Sequence, residues 1–167
     1  MMEQSAVTLV IALGSTAIVS GSAYIFVRDA SNNWLQEFKL VANDGGNDGA
    51  AYNLFGFSVG IYGNTAIVGA PYDDDNGIGS GSAYIFVRDA VNNWSQEFKL
   101  VASDTAAYDR FGTSVGIYGN TAIVSAPLND DNGDNSYSDD NGDFSGSAYI
   151  FKRENNWSQE FKLVASD

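Results

Sequence analysis

The hexapeptide Gly-Ser-Ala-Tyr-Ile-Phe occurs three times, at 21–26, 81–86 and 146–151. Each copy leads through a short polar turn and a Trp (Trp34, Trp94, Trp157) into the run Gln-Glu-Phe-Lys-Leu-Val-Ala. The copies start 60 and 65 residues apart. Self-similarity at a near-constant period makes the chain a series of like units, and a unit of that size hides its apolar surface only by stacking on its neighbours. The fold therefore follows from what one unit is and how it meets the next.

Two units are complete. The second reads LFGFSVGIYG, NTAIVGAP, YDDDNGIGS, GSAYIFVRD, AVNN, WSQEFKLVAS from Leu54. The third reads RFGTSVGIYG, NTAIVSAP, a long polar loop from Leu128 to Ser145, GSAYIFKR, ENN, WSQEFKLVASD from Arg110. Thr16–Val19 repeats the TAIV of 65–68 and 121–124, so Leu9–Val19 reads as a degenerate first copy of the segment at 58–68. That reading is preferred to a secretory signal for the apolar stretch Ala6–Val19. Its leader MMEQS carries Glu3 and no Lys or Arg, whereas a signal begins with positive charge. The stretch is also short for a membrane span.

Each complete unit holds four candidate strands, SVGIYG, TAIVGA, SAYIFV and QEFKLVA in the second copy. They are rich in Val, Ile, Tyr and Phe and bounded by Gly, Asn, Asp and Ser. Gly63-Asn64 and Gly119-Asn120 suit the positive φ of a tight hairpin, as do Asn32-Asn33 and Asn92-Asn93 ahead of the Trp. No window keeps a helical period. SAYIFV is apolar on both faces, since Ala83, Ile85 and Val87 alternate with Tyr84 and Phe86; a strand buried on one side would show a polar residue at every second place. Small antiparallel sheets covered on both sides by copies of themselves are the blades of a β-propeller. The expected fold is all-β: a partial propeller of about three four-stranded blades, near 6–42 (degenerate), 54–102 and 110–166, in one array over 1–167.

Composition narrows the chemistry. Eight Lys and Arg stand against 21 Asp and Glu, a net charge of −13, which argues against a nucleic-acid partner because phosphate binding needs clustered cations. There is no Cys and no His. That excludes disulfides, thiolate metal sites and the His-based catalytic arrangements, and leaves hard cations on oxygen ligands as the metals to consider.

Phe55-Gly56 followed by Gly69-Ala70-Pro71 resembles the FG-GAP repeat, which builds the β-propeller of the integrin α-chain head and of many bacterial surface and secreted proteins. The third copy keeps Phe111-Gly112 but has Ser125-Ala126-Pro127, and the first has neither element. With the Trp and QEFKLVASD that follow, the pattern looks most like the bacterial variety, in which such blades recur in long arrays. The resemblance covers about 53–167 well and 6–42 in part. It implies a recognition or adhesion scaffold at the cell surface or outside the cell. Integrin-type blades carry a DxDxDG calcium loop after the strand that follows FG. Here Tyr62-Gly63-Asn64 and Tyr118-Gly119-Asn120 stand in that place, so the family's calcium ligands do not transfer.

Acidic loops occur elsewhere, between the Ala-Pro pair and GSAYIF. Candidate calcium ligands are Asp73 and Asp75 in the second copy and Asp130, Asn132, Asp134, Asp139, Asn141 and Asp143 in the third. Alternating Asp and Asn in a Gly-containing loop supplies several of the six to eight oxygens calcium takes, although Asn135 and Phe144 stand where an EF-hand needs Gly. The simpler reading is a solvated loop whose Asp, Asn and Gly favour turns. Trp34, Trp94 and Trp157 are candidate sugar-stacking platforms, with inter-blade packing as the simpler reading. Lys39, Lys99 and Lys162 read as the wet side of an outer strand. No carboxylate pair is singled out for catalysis.

Three blades do not close a ring, since propellers have roughly four to eight. The chain is expected to be part of a longer array, to self-associate through its open blade faces, or to stand as an open stack. The expected function is non-catalytic: adhesion or recognition of a protein or glycan ligand. The alternative is a carbohydrate-binding module or part of a glycoside-active propeller hydrolase.

Overall fold

The computed structural model describes residues 7–12, 21–44, 53–129 and 146–165. Eleven strands form three antiparallel sheets among them. The first contains β1 (Val7–Ala12), β2 (Ser22–Arg28) and β3 (Trp34–Leu40). The second contains β4 (Ser58–Tyr62), β5 (Thr65–Ala70), β6 (Ser82–Arg88) and β7 (Trp94–Leu100). The third contains β8 (Val115–Tyr118), β9 (Thr121–Ala126), β10 (Ser147–Arg153) and β11 (Trp157–Val164). Within each sheet the strands pair in chain order. No helix occurs among the described residues, so none is long and apolar enough to cross a membrane. The chain is all-β, a partial propeller-like array.

The turns form as their residues require. Gly63 and Gly119 have φ of 56° and 57°, and Asn32 and Asn92 have 67° and 68°. In the β2–β3 and β6–β7 turns a carboxylate completes the loop. Asp29 Oδ1 accepts from the backbone N–H of Ser31 and of Asn33, each at 2.8 Å, and Asp89 Oδ1 does the same for Val91 and Asn93. These side chains satisfy amides that the two-strand ladder leaves unpaired. The backbone donors around Asp29 and Asp89 hold both carboxyls below the ordinary Asp value.

Burial along the central strands reveals the stacking order. In β2 the residues Ala23 and Ile25 are buried while Tyr24 and Phe26 are half-buried. In β10 the phase is reversed: Tyr149 and Phe151 are buried, Ala148 and Ile150 half-buried. In β6 both sets are buried. The second sheet is therefore the filling between the other two. One core joins Ala23, Ile25 and Leu40 of the first sheet to Val68, Tyr84, Phe86 and Trp94 of the second. The other joins Ile67, Ile85 and Leu100 of the second to Val124, Tyr149, Phe151 and Trp157 of the third. On the central strands the Tyr and Phe point back toward the preceding sheet and the Ile points forward to the next.

The Phe-Gly pair sits at the seam. Phe55 meets Tyr84 and Phe86 edge-on, with ring centroids 5.4 and 6.0 Å apart. Phe111 repeats this against Tyr149 and Phe151 at 5.6 and 5.9 Å. Such edge-to-face pairs fix ring orientation as well as burying area. Behind the rings, backbone meets backbone. Phe111 N–H donates to Ser80 O at 3.0 Å, and Ser58 Oγ donates to Gly112 O at 2.7 Å. A Cβ on Gly69 would lie 2.0 Å from Gly112 O, and one on Gly81 would lie 2.1 Å from Phe111 O. Glycine is required there because no side-chain atom fits. In the third sheet Ser125 holds the place of Gly69, and its Oγ accepts from Ser114 N–H at 2.9 Å.

The first sheet differs from expectation. Thr16–Val19 was the expected neighbour of β2, by analogy with 65–68 beside β6. The strand paired to β2 is instead β1, with Val10 opposite Tyr24 and Leu9 opposite Ile25; Thr16–Val19 lies outside the described residues. β1 takes the register on β2 that β5 takes on β6, and such a strand needs a connection ahead of the glycine like the one 71–80 supplies ahead of Gly81, which Ser20 alone is too short to make. Gly21 itself sits in the seam, where a Cβ would lie 1.7 Å from Phe55 O, just as Gly81 meets Phe111.

Because Gly69 faces backbone and Ser125 does not, the two positions should respond oppositely. Gly69→Ser is expected to cost about 2 kcal/mol or more through overpacking. Ser125→Gly should cost less than about 1 kcal/mol. Denaturant melts of the two variants check the asymmetry.

Candidate functional site

The polar groups that join the sheets come from fixed places in the repeat. In each sheet the pairing of central and outer strands slips by one residue. Ile85 pairs with Phe98 and Phe86 with Gln96, leaving Glu97 as the extra residue of a β-bulge. Glu37 and Glu160 are bulged in the same way. A bulge re-aims the side chain it carries. Here it points Glu37 at Arg88 of the second sheet, 2.5 Å from Oε1 to Nη2, and Glu97 at Arg153 of the third. Glu97 Oε2 also accepts from Trp157 Nε1 at 3.1 Å. The glutamine beside each bulge faces the other way: Gln96 Oε1 accepts from Asn43 N–H at 2.8 Å and Gln159 Oε1 from Ser103 N–H at 2.9 Å.

Charge is densest where the first and second sheets meet. Lys99, on β7 opposite Tyr84 of β6, reaches three carboxylates. Its Nζ lies 2.8 Å from Asp44 Oδ2 and 3.1 Å from Asp73 Oδ2, and it also bonds Asp75 Oδ2. The ammonium sits 5.1 Å from the centroid of the Tyr84 ring. The Tyr84 hydroxyl is 2.6 Å from Asp73 Oδ2 and 2.9 Å from Asp44 Oδ2; its single proton serves one of the two at a time. Asp73 is only 1% exposed. The second junction repeats the scheme more simply: Lys162 bonds Asp104 Oδ2 at 2.7 Å and lies 5.8 Å from the Tyr149 centroid.

These contacts move the titrations. Burial opposes the charge on Asp44, but hydrogen bonds from Lys99 and Tyr84 outweigh it and hold the carboxyl below its ordinary value. Burial likewise pulls Lys99 down, and its bonds to Asp44 and Asp75, with the charge of Asp73, carry it above the ordinary lysine value. Burial, then the hydrogen bond to Asp73, pushes the Tyr84 phenol up. Asp104 is lowered by Lys162 against the opposing effect of burial.

The expected sites divide accordingly. Asp73 and Asp75 do come together, with Asp44 as a third carboxylate, their oxygens within 4.8 Å of one another. Three carboxylates that close can share one cation. In this fold Lys99 already bonds all three, so a calcium ion would have to displace it. Asp73 also departs from a solvated loop residue: it is buried, and Asp74 Oδ1 beside it accepts from Gly79 N–H at 2.5 Å. Asp130, Asn132, Asp134, Asp139, Asn141 and Asp143 lie outside the described residues. Lys99 is not on a wet face; it is drawn inward because the preceding sheet delivers Asp44. Trp94 and Trp157 are 4% exposed and offer no ring face to a sugar, being packed between sheets. Trp34 is 48% exposed, with the Arg28 guanidinium 5.9 Å from its ring centroid. Asp44 escaped the sequence reading. The signal for it was the Asp that closes each outer run, at 44, 104 and 167, taken together with the threefold Lys.

The FG-GAP repeat family matches residues 34–86 and 94–151. The chain belongs to the FG-GAP repeat family. Each matched stretch begins on the outer strand of one sheet and ends in the central strand of the next, so the family repeat spans a junction rather than a sheet. No curated protein matches the chain. The array is thus a propeller-like scaffold or recognition domain.

Two outcomes follow from the Lys99 cluster. Lys99→Met should lower stability by about 3 kcal/mol, because three carboxylates lose their cation. Millimolar calcium should then raise the melting temperature of the variant more than that of the wild type, as followed by calorimetry. For pH, the depressed Asp44 and Asp104 contribute fully above the unfolded carboxyl value of about 3.9, and that contribution is lost as pH falls through their folded values. The raised Lys99 and Tyr84 contribute fully below about pH 10 and lose their contribution as pH rises through theirs. Thermal melts should show a plateau from about pH 5 to 10 with a fall on either side, and Lys99→Met should flatten both limbs.

Proposed function

We propose that the chain is a non-catalytic recognition scaffold acting at the cell surface or outside the cell, binding its ligand with the loop end of the array. The carrying observation is the asymmetry of the two ends. The strands are antiparallel and paired in chain order, so the short turns at 29–33, 63–64, 89–93, 119–120 and 154–156 leave from one end. The long connections, including 71–81 and 101–114, leave from the other. A rigid stack with its variable loops gathered at one end is the arrangement by which loops acquire binding roles.

The loop end also has the surface for it. Tyr72 and Ile78 are exposed there, and the Arg110 guanidinium stacks 3.6 Å from the Tyr72 ring centroid. An aromatic ring under an Arg beside an exposed aliphatic side chain is typical of binding surfaces. The charged groups of the sheets, by contrast, are spent on joining one sheet to the next. The resemblance to repeats of surface and secreted proteins supports the location. Calcium is no part of the reading at the Lys99 junction.

Arrays of immobilised glycans and of extracellular protein ligands test the proposal. Tyr72→Ala and Ile78→Asp should weaken whatever binding is found by tenfold or more without changing the melting temperature. Binding that survives both substitutions and is lost on changing the turn end would overturn it.

A further inference from the structure

The residue before each Phe-Gly pair keeps its backbone and changes its side chain. Leu54 and Arg110 both take the left-handed conformation, with φ of 50° and 60°. The conformation belongs to the repeat; the guanidinium belongs to one place in it. That guanidinium is held on two sides. It stacks 3.6 Å from the ring centroid of Tyr72, and it lies against Gly79, where a Cβ would stand 2.2 Å from Nη1. The backbone beneath is tied down as well. Tyr108 N–H donates to Ile78 O at 2.7 Å and Arg110 N–H to Gly79 O at 3.1 Å. A flexible side chain has become a fixed, flat cation where loops 71–81 and 101–114 meet.

Its charge has no answer within those loops. They contain five carboxylates, and each is engaged with another group. Asp73 and Asp75 hold Lys99, and Asp104 holds Lys162. Asp74 accepts from Gly79 N–H. Asp109 accepts from Ala106 N–H and from Asn129 Nδ2. Among the described residues no carboxylate pairs with Arg110, whereas Arg88, Lys99, Arg153 and Lys162 each have one. A cation is thus left over at the loop end of a chain whose net charge is −13.

We propose that Arg110 receives a Glu or Asp side chain from a peptide segment of a protein ligand, with an apolar side chain beside that acid lying on Ile78. This rests on the reading that the loop end meets the ligand, and it gives that ligand a chemical class. Stacking covers a face of the guanidinium and leaves the donors on its rim, which match the two oxygens of a carboxylate. Ile78, just ahead of Gly79, is 62% exposed and offers aliphatic surface to a Leu, Ile or Val next to the acid. A glycan would want an open ring face, and the guanidinium occupies that of Tyr72. A long polyanion would be repelled by the charge of the chain as a whole. A single carboxylate in an otherwise apolar segment meets neither obstacle.

The test is an array of immobilised peptides, each with Glu, Asp, Gln, Asn or Lys flanked by Leu, Ile or Val, printed beside uronate-bearing oligosaccharides. The wild type should bind the Glu or Asp peptides about tenfold or more better than the Gln or Asn ones, and the difference should shrink as salt is raised. Arg110→Leu should abolish the difference at an unchanged melting temperature, since Leu54 already fills that place in the second unit. Arg110→Glu should turn the preference toward the Lys peptides. Equal binding of acid and amide peptides, an acid preference that survives in Arg110→Leu, a preference for the uronates, or no binding to any spot would each overturn the proposal. Binding that needs Tyr72 and Ile78 but not Arg110 sinks this proposal and leaves the loop-end reading standing. Binding indifferent to all three and lost on changes at the turn end sinks both.

Discussion

Everything in this fold depends on backbone approaching backbone where one sheet meets the next. The Phe111 and Gly112 carbonyls enter the spaces left by Gly81 and Gly69, and the Phe55 carbonyl does the same at Gly21. Contact that close sets the separation of the sheets before any side chain is counted. The rings of Phe55 and Phe111 then wedge against the aromatic pairs of the central strands, Tyr84 with Phe86 and Tyr149 with Phe151. The short inner strands follow the same logic, with Tyr62 and Tyr118 in contact at 4.7 Å between the second and third sheets.

On this steric frame lies an electrostatic one that confers direction. Each sheet offers carboxylates forward and cations backward, so sheets assemble in one order and one orientation. Isolated surface pairs contribute little to stability. The Lys99 cluster is different in kind, because Asp73 is buried and would be costly without its cation. It ties together the end of the first sheet, the loop after β5 and the outer strand of the second. That makes the acidic loop of the second unit part of the joint.

The strands and turns were readable because their cues are local. Two-sided apolar runs such as 82–87, bounded by Gly and Asn, specify a strand buried on both faces. Gly63 and Asn92 name their own turns through positive φ. The edge of the first sheet was not readable in this way. Val7–Ala12 and Thr16–Val19 are equally suited to a strand, and the choice depends on the length of connection left before Gly21, which counts only once Phe55 is set against that glycine. The Lys99 cluster was opaque for a similar reason. Asp44, Asp73 and Lys99 are far apart in the chain and come from two sheets, and nothing within one unit reveals that a residue closing one outer strand meets the outer strand of the next. The recurring Glu was legible as a repeat and illegible as a bulge, since a bulge is a property of two strands.

The offset between the family repeat and the sheet has an evolutionary consequence. A stretch such as 34–86 carries both apolar halves of one joint, Leu40 with Phe55, Tyr84 and Phe86, whereas the cations that receive its carboxylates, Arg88 and Lys99, follow it. Duplicating it in tandem copies the apolar joint with both halves already fitted, whereas duplicating a sheet would copy two halves that belong to different joints. Lineages bearing such genes can therefore lengthen or shorten their arrays by unequal recombination without inventing a new interface at the point of insertion.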